Sequence, residues 1–199
     1  MTLRLFVLFV AALIGLSPAM SGPLHDAVRD GDLVLLETLV QKTEDLDVQD
    51  NYVGTALHWA ALKNDTEATR ILIAAGADVN RARMGDVEAT HKQGRTPLMN
   101  AASANAVGVI ELLVAEGAII DAKRADGLTA LHVAVHSDAI GAVRQLVALG
   151  INVDGNPETE PIAFATPLAE AVYRGKTGKM EPEIAEKITT ILRDAGASE

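Results

Sequence analysis

Apolar and polar positions recur along this chain in one arrangement: a compact apolar cluster, a polar break, a stretch with apolar residues three and four apart, then a glycine. The second stretch shows the spacing best, in Leu33, Leu36, Leu39 and Val40; Ala68, Ile71, Leu72 and Ala75; Val109, Ile110, Leu113 and Val114; and Val143, Leu146 and Val147. Such spacing lines one face of an α-helix, so each stretch is predicted to be a helix with one buried side. Gly76, Gly117 and Gly150 follow three of them, and glycine readily takes the left-handed conformation that ends a helix.

The compact clusters are copies of one another. Thr55-Ala56-Leu57-His58-Trp59-Ala60-Ala61, Thr96-Pro97-Leu98-Met99-Asn100-Ala101-Ala102 and Thr129-Ala130-Leu131-His132-Val133-Ala134-Val135 share a pattern, with Gly22-Pro23-Leu24-His25-Asp26-Ala27-Val28 before them and Thr166-Pro167-Leu168-Ala169-Glu170-Ala171-Val172 after. Threonine caps a free backbone N–H at a helix start, and proline just inside loses no hydrogen bond because first-turn N–H groups have no intrahelical partner. Each cluster therefore predicts a short helix. A second landmark lies 21 residues after the threonine in three units: Gly76-Ala77-Asp78-Val79-Asn80, Gly117-Ala118-Ile119-Ile120-Asp121 and Gly150-Ile151-Asn152-Val153-Asp154.

Five units in phase resemble the ankyrin repeat, which opens with a Thr-Pro-Leu-His-x-Ala-Ala helix and closes with Gly-Ala-Asp-Val-Asn before a β-turn. The resemblance covers residues 22–199, in units of approximately 22–50, 51–90, 91–123, 124–160 and 161–199. It implies an all-α solenoid of about five helix-turn-helix units joined by short β-hairpin-like fingers. Two short helices bury too little surface alone, so stacking supplies the stability.

Departures from the pattern fall at the ends and in connections. Thr43 stands where the first closing glycine belongs, and Glu181, Glu183, Glu186 and Lys187 make the last unit polar. Both suit terminal caps. The 41 residues from Thr55 to Thr96 exceed one period of 33 by eight, which places an insertion within 81–93, at a finger. Its Arg81, Arg83, His91 and Lys92, with Arg95 beyond, make a locally basic segment that is either neutral variation in a tolerant loop or a partner-contacting finger. Four extra residues lengthen the connection around 155–161, and nine are assigned to the loop between the helices of the last unit.

The N-terminus breaks the pattern. Arg4, the apolar run Leu5 to Leu16 and then Ser17-Pro18-Ala19-Met20-Ser21 have the grammar of a signal peptide, with cleavage expected after Ser21. The alternative is an uncleaved anchor, but a spanning helix needs about 20 apolar residues. Residues 1–21 are therefore expected to be removed on export, leaving no stable membrane insertion of the mature chain.

Composition narrows the function. With 17 basic and 27 acidic residues, loss of Arg4 takes the formal charge from −10 to −11, and a molecule so acidic repels nucleic acid and anionic lipid. The absence of cysteine excludes disulfides, thiol nucleophiles and thiolate metal sites. Aromatics are only 3% of residues, so the interior must be built from Ala, Leu, Val and Ile. Gly175-Lys176-Thr177 resembles the end of a phosphate-binding loop, but Glu170 occupies the position of its first glycine. His132 and His136 have the i, i+4 spacing of metal ligands, yet His25, His58 and His132 share one repeat position, where the family's histidine makes structural hydrogen bonds. No serine sits in a nucleophile elbow. No catalytic residue, metal or cofactor is expected, and the chain reads as a non-enzyme.

What remains is surface. In ankyrin arrays the fingers and inner helices form a concave wall whose variable positions read the partner. Carried onto this chain, those positions are Asn51, Tyr52, Lys63, Arg95, Ser103, Arg124, Asp126 and His136, flanked by Trp59 and Asn100, with Arg83, His91 and Lys92 in the insertion. Tyr52 and Trp59 are the expected anchors, since aromatics bury most area per residue in interfaces; partial burial of Trp59 against the next repeat is the equal alternative. The resemblance implies a monomeric, exported, periplasmic or secreted module that binds another protein. Small exported bacterial ankyrin proteins resemble accessory factors for periplasmic enzymes, catalase included; an immunity protein against a secreted toxin and a host-directed effector are the rival expectations.

Overall fold

The computed structural model describes residues 22–84, 94–155 and 166–198. The expected leader at 1–21, most of the insertion with His91 and Lys92, and the connection from 156 to 165 lie outside the described residues.

Ten helices are described: α1 Pro23–Asp30, α2 Leu33–Val40, α3 Ala56–Leu62, α4 Thr66–Ala74, α5 Pro97–Ser103, α6 Val107–Ala115, α7 Ala130–His136, α8 Ile140–Ala148, α9 Pro167–Lys176 and α10 Pro182–Asp194. Each odd helix packs on the even helix that follows. Odd helices stack on odd and even on even, giving two helical layers with the core between them. Leu57, Leu98, Leu131 and Leu168 from the odd layer and Leu36, Leu72, Leu113, Leu146 and Leu192 from the even layer fill that core, with alanines where backbones approach.

The helix starts follow the sequence reading. The Thr55, Thr96 and Thr166 hydroxyls accept the backbone N–H of His58, Met99 and Ala169, and Pro97 and Pro167 sit in the first turn. The repeat histidines reinforce this. In each, Nδ1 accepts the N–H that opens the unit, from Gly22, Thr55 and Thr129, at 3.2 Å. His25 Nε2–H then reaches the Gly54 carbonyl at 3.0 Å, and His58 Nε2–H the Arg95 carbonyl at 2.9 Å. One side chain thus joins a helix start to the finger of the next unit.

The fingers are hairpin-like connections closed by backbone hydrogen bonds: Asp50 N–H to the Gly54 carbonyl at 2.8 Å, Arg83 N–H to Arg95 at 2.8 Å with Gly94 N–H back to Arg83 at 2.9 Å, and Arg124 N–H to Leu128 at 2.9 Å. The eight inserted residues fall wholly inside the second of these. The nine extra residues of the last unit do not all enter its loop. They lengthen α9 and α10 to 10 and 13 residues, against seven and nine in the central units, and only two extend the connection. The first cap is less polar than its role suggests, because Val34 is 76% exposed on α2.

Repeats are also tied edge to edge. Asp47 Oδ1 accepts the Asp78 N–H, Asn80 Oδ1 that of Ile119, Asp121 Oδ1 that of Asn152 and Asp154 Oδ1 that of Ser198, at 2.6 to 3.1 Å. Among the described residues no helix is long and apolar enough to cross a membrane.

Candidate functional site

The face formed by the odd helices and the fingers carries the expected partner-reading positions, and finger geometry decides how each is presented. At the first finger, Asp50 Oδ1 accepts the N–H groups of Tyr52, Val53 and Gly54, while Oδ2 accepts the Trp59 indole N–H at 2.6 Å. Burial alone would raise the Asp50 pKa, but these hydrogen bonds outweigh it and hold the carboxylate below its ordinary range. The turn is therefore rigid, and it presents Tyr52 to solvent at 58% exposure. Trp59 is half-buried and tied to this finger, nearer to a structural brace than to a free anchor.

The other positions divide into two groups. Asn100 is buried, with its amide donating to the His58 carbonyl at 3.3 Å, so it braces α5 against α3 and leaves the reading surface. Ser103 bonds Ser137 of the next repeat at 3.0 Å, Lys63 donates to the Arg29 carbonyl and Arg83 to the Asn51 carbonyl at 3.3 Å. Asn100, Ser103 and Lys63 link neighbouring units, and Arg83 ties the second finger to the first. Asn51 and Tyr52 are exposed at the first finger, and Arg95, Arg124, Asp126 and His136 gather further along.

That gathering surrounds a cavity of about 400 Å³, lined by Arg95, Arg124, Leu128, His132, Val133, His136, Glu170, Tyr173, Arg174 and Lys179. Arg124 pairs with Asp126 at 2.7 Å. His136 Nδ1 lies 2.8 Å from Glu170 Oε1. Arg174 is held by Asp138 at 3.1 Å, by the carbonyls of His136 and Lys179, and more loosely by Glu170. The pKa of Arg95 is drawn down, first by burial and then by the charges of Arg124 and Arg83.

The contributions of Glu170, Tyr173, Arg174 and Lys179 escaped the sequence reading. Glu170 and Tyr173 stand at repeat positions where the other units carry unrelated residues, Trp59, Asn100 and Val133 for the first and Leu62, Ser103 and His136 for the second, while Arg174 and Lys179 come from the lengthened α9 and its following turn, beyond the point where the central odd helices end. The paired histidines part ways, His132 as a buried brace and His136 exposed on the cavity rim. Among the described residues no cluster of His, Asp and Glu could hold a metal ion.

A family profile described as ankyrin repeats (3 copies) matches residues 9–83 and again 82–157. The chain belongs to the ankyrin-repeat family. It is similar to the B-cell lymphoma 3 protein homolog of Mus musculus, 35% identical over 90 residues, which is 45% of this chain and 18% of that protein. Over 108 residues it is 30% identical to ankyrin repeat and SOCS box protein 5 of Oryctolagus cuniculus, covering 54% of this chain and 30% of the relative. A putative ankyrin repeat protein of fowlpox virus is 30% identical over 64 residues, 32% of this chain and 10% of the viral protein. The matched region thus spans less than a third of each of these three relatives. Ankyrin repeats are protein–protein interaction modules, and that description holds for this chain.

Proposed function

We propose that the mature chain is an exported, non-catalytic adaptor that holds one protein partner in the cell envelope on the face built from its odd helices and fingers. One observation carries the reading. The helix caps, repeat histidines and edge-to-edge hydrogen bonds are used up within the array, whereas Tyr52 is presented to solvent by the Asp50-braced turn and Arg95, Arg124 and His136 gather at an open cavity on the same face. Rigid presentation lowers the entropy cost of binding. Export rests on the N-terminal pattern of Arg4, the run from Leu5 to Leu16 and the small residues before Gly22.

Chemical crosslinking of the tagged chain in its native cell, followed by mass spectrometry and by reconstitution from purified components, tests the reading. The expected result is one envelope protein that rebinds the purified chain and loses affinity about tenfold for the Tyr52→Ala/Arg95→Ala variant, with an N-terminus near Gly22. The captured protein distinguishes support of a periplasmic enzyme such as catalase from neutralisation of a secreted toxin. A tagged chain that stays cytoplasmic, or a reconstituted complex indifferent to both substitutions, overturns the corresponding half.

A further inference from the structure

The cavity over α7 and α9 is an island of positive charge on an acidic protein. Four of its ten lining residues are Arg or Lys and one is acidic, while the whole chain carries −10. Internal pairing accounts for part of this charge: Arg124 with Asp126, Arg174 with Asp138, and Glu170 with His136. Two cationic groups make no direct ion pair among the described residues. The Arg95 guanidinium is half-buried and feels the like charges of Arg124 and Arg83 ahead of the opposite charge of Asp126, and Lys179 Nζ stands 5.2 Å from the Tyr173 ring centroid.

Gathering like charges in a partly buried hollow costs free energy that an incoming anion removes. A carboxylate fits best, because a guanidinium offers it two parallel N–H donors. Beside those donors Leu128 and Val133 and the Tyr173 ring supply an apolar wall. The hollow therefore has one place for a carboxylate and an adjoining place for an aliphatic or aromatic group, within a volume that suits a few side chains rather than a folded domain.

We infer that this cavity is the specificity pocket of the binding face and takes an acidic segment of the protein partner, in which Asp or Glu is followed by a large apolar residue. Arg95 receives the carboxylate, with the Asp126-paired Arg124 beside it, Lys179 and Tyr173 close the far side, and Leu128 and Val133 take the apolar neighbour. This rests on the adaptor reading above and names the chemistry of the segment such an adaptor would hold.

Net charge alone predicts the opposite preference, since a protein at −10 should draw basic peptides and repel acidic ones. That opposition makes the test decisive. The probes are fluorescein-labelled eight-residue peptides of alternating Asp and Phe, the same with Asn for Asp, and the same with Lys for Asp, titrated with the mature chain and read by fluorescence anisotropy. The Asp peptide should bind at least about tenfold more tightly than the other two. Arg95→Gln and Lys179→Gln should each remove most of that preference. Arg70→Gln, which changes an exposed arginine on α4 paired with Glu67, should leave it intact. Lys179 is exposed, so its variant keeps the test informative should Arg95→Gln unfold.

Equal binding of the three peptides, preference for the Lys peptide, or an Asp preference that survives both pocket substitutions overturns the inference. Citrate or inorganic phosphate binding as tightly as the Asp peptide, with the same dependence on Arg95, overturns it in favour of a small-anion site. The adaptor reading is tested separately: a reconstituted envelope partner whose affinity is unchanged by Arg95→Gln and Lys179→Gln leaves that reading standing and overturns the pocket, whereas failure to recover any envelope partner overturns the adaptor reading itself.

Discussion

His58 has 0% exposure and both ring nitrogens engaged, Nδ1 by the Thr55 N–H and Nε2–H by the Arg95 carbonyl. Only the neutral ring serves both neighbours, since a protonated Nδ1 would turn a donor towards a donor. Burial first, and then nearby Arg83 and His25 against the raising effect of the Arg95 carbonyl and Asp50, pull its pKa from 6.5 to about 4. The unfolded chain takes up the proton near pH 6.5 and the folded protein does not. The contribution is therefore complete above pH 6.5 and shrinks as pH falls towards 4, by about 3 kcal/mol in total. Urea unfolding at pH 7.5 and 4.5 measures this loss, and carboxylates that titrate over the same range are subtracted by repeating it with His58→Gln. That variant should be less stable at pH 7.5 and should lose less on acidification; identical losses would contradict the account. A buried Leu at an equivalent level makes a pH-independent companion: Leu131→Ala should cost about 2 to 5 kcal/mol at either pH, since Leu131 is fully buried in α7.

Between helices, the backbone makes a demand that the repeat motif hides. Asn64, Asn105 and Asp138 take φ values of 56°, 54° and 57° in the turns after α3, α5 and α7, a region costly for most side chains but tolerated by Asn and Asp. Gly31 occupies the same place in the first unit at 72°. Asn105 has a second task. The residue capping the start of α8 is Ala139, which offers no side-chain acceptor, and Asn105 Oδ1 from the preceding repeat accepts the Ala142 N–H at 2.7 Å instead. Gly141 makes room for it, because a Cβ there would lie 2.8 Å from that oxygen. Replacing a helical glycine by alanine ordinarily stabilises by up to about 1 kcal/mol, and Gly108→Ala on α6 should do so, its added carbon meeting Thr66 Oγ1 at an ordinary 3.5 Å. Gly141→Ala should instead destabilise by about 1 kcal/mol through loss of the borrowed cap. Melting curves of the two single variants decide the matter, and equal stabilisation would remove the cross-repeat cap from the account.

The insertion shows how far an element can change without disturbing its neighbours. The hydrogen bond from Arg83 to Arg95 matches those of the two finger turns at Asp50 and Arg124, although it closes a loop eight residues longer. Loop closure grows dearer only slowly with length. Excision of residues 86–93 should therefore raise stability by no more than about 1 kcal/mol and leave the helical circular dichroism unchanged. A large fall in melting temperature would mean that the insertion supports the array.

For the molecule as a whole, legibility followed repetition. The two-layer array could be read from the sequence because five copies of one apolar pattern fix helix, turn and register together, and capping by Thr55, Thr96 and Thr166 confirmed it locally. Contacts that differ from unit to unit were not legible. Asn100 stands where two other units carry Trp59 and Val133, each the residue after a repeat histidine, and nothing in the pattern signals that its amide would turn inward to the His58 carbonyl. The cavity was hidden for a related reason. It joins Arg95 to Lys179 across three units, and its far wall depends on the extension of α9.

The same geometry makes stability a matter of position within the stack. Each unit touches only its neighbours, so the central units gain two interfaces and the terminal units one. At the N-terminal end the outward face of α2 leaves Val34 76% exposed, whereas α5 and α7 are covered on both sides. Opening should therefore begin at the ends and reach the centre only on global unfolding. Hydrogen exchange followed by mass spectrometry should find amides of α5 and α7 slowest, those of α1 and α2 faster by about one to two orders of magnitude, and those of α9 and α10 between them because the longer α10 adds contact. Asp154→Ala removes the oxygen that receives the Ser198 N–H and should speed exchange in α10 while leaving α1 to α5 unchanged. Uniform protection from α1 to α10 would instead mean that the array opens as one cooperative unit, and then a partner seated over α7 and α9 would stabilise every repeat equally.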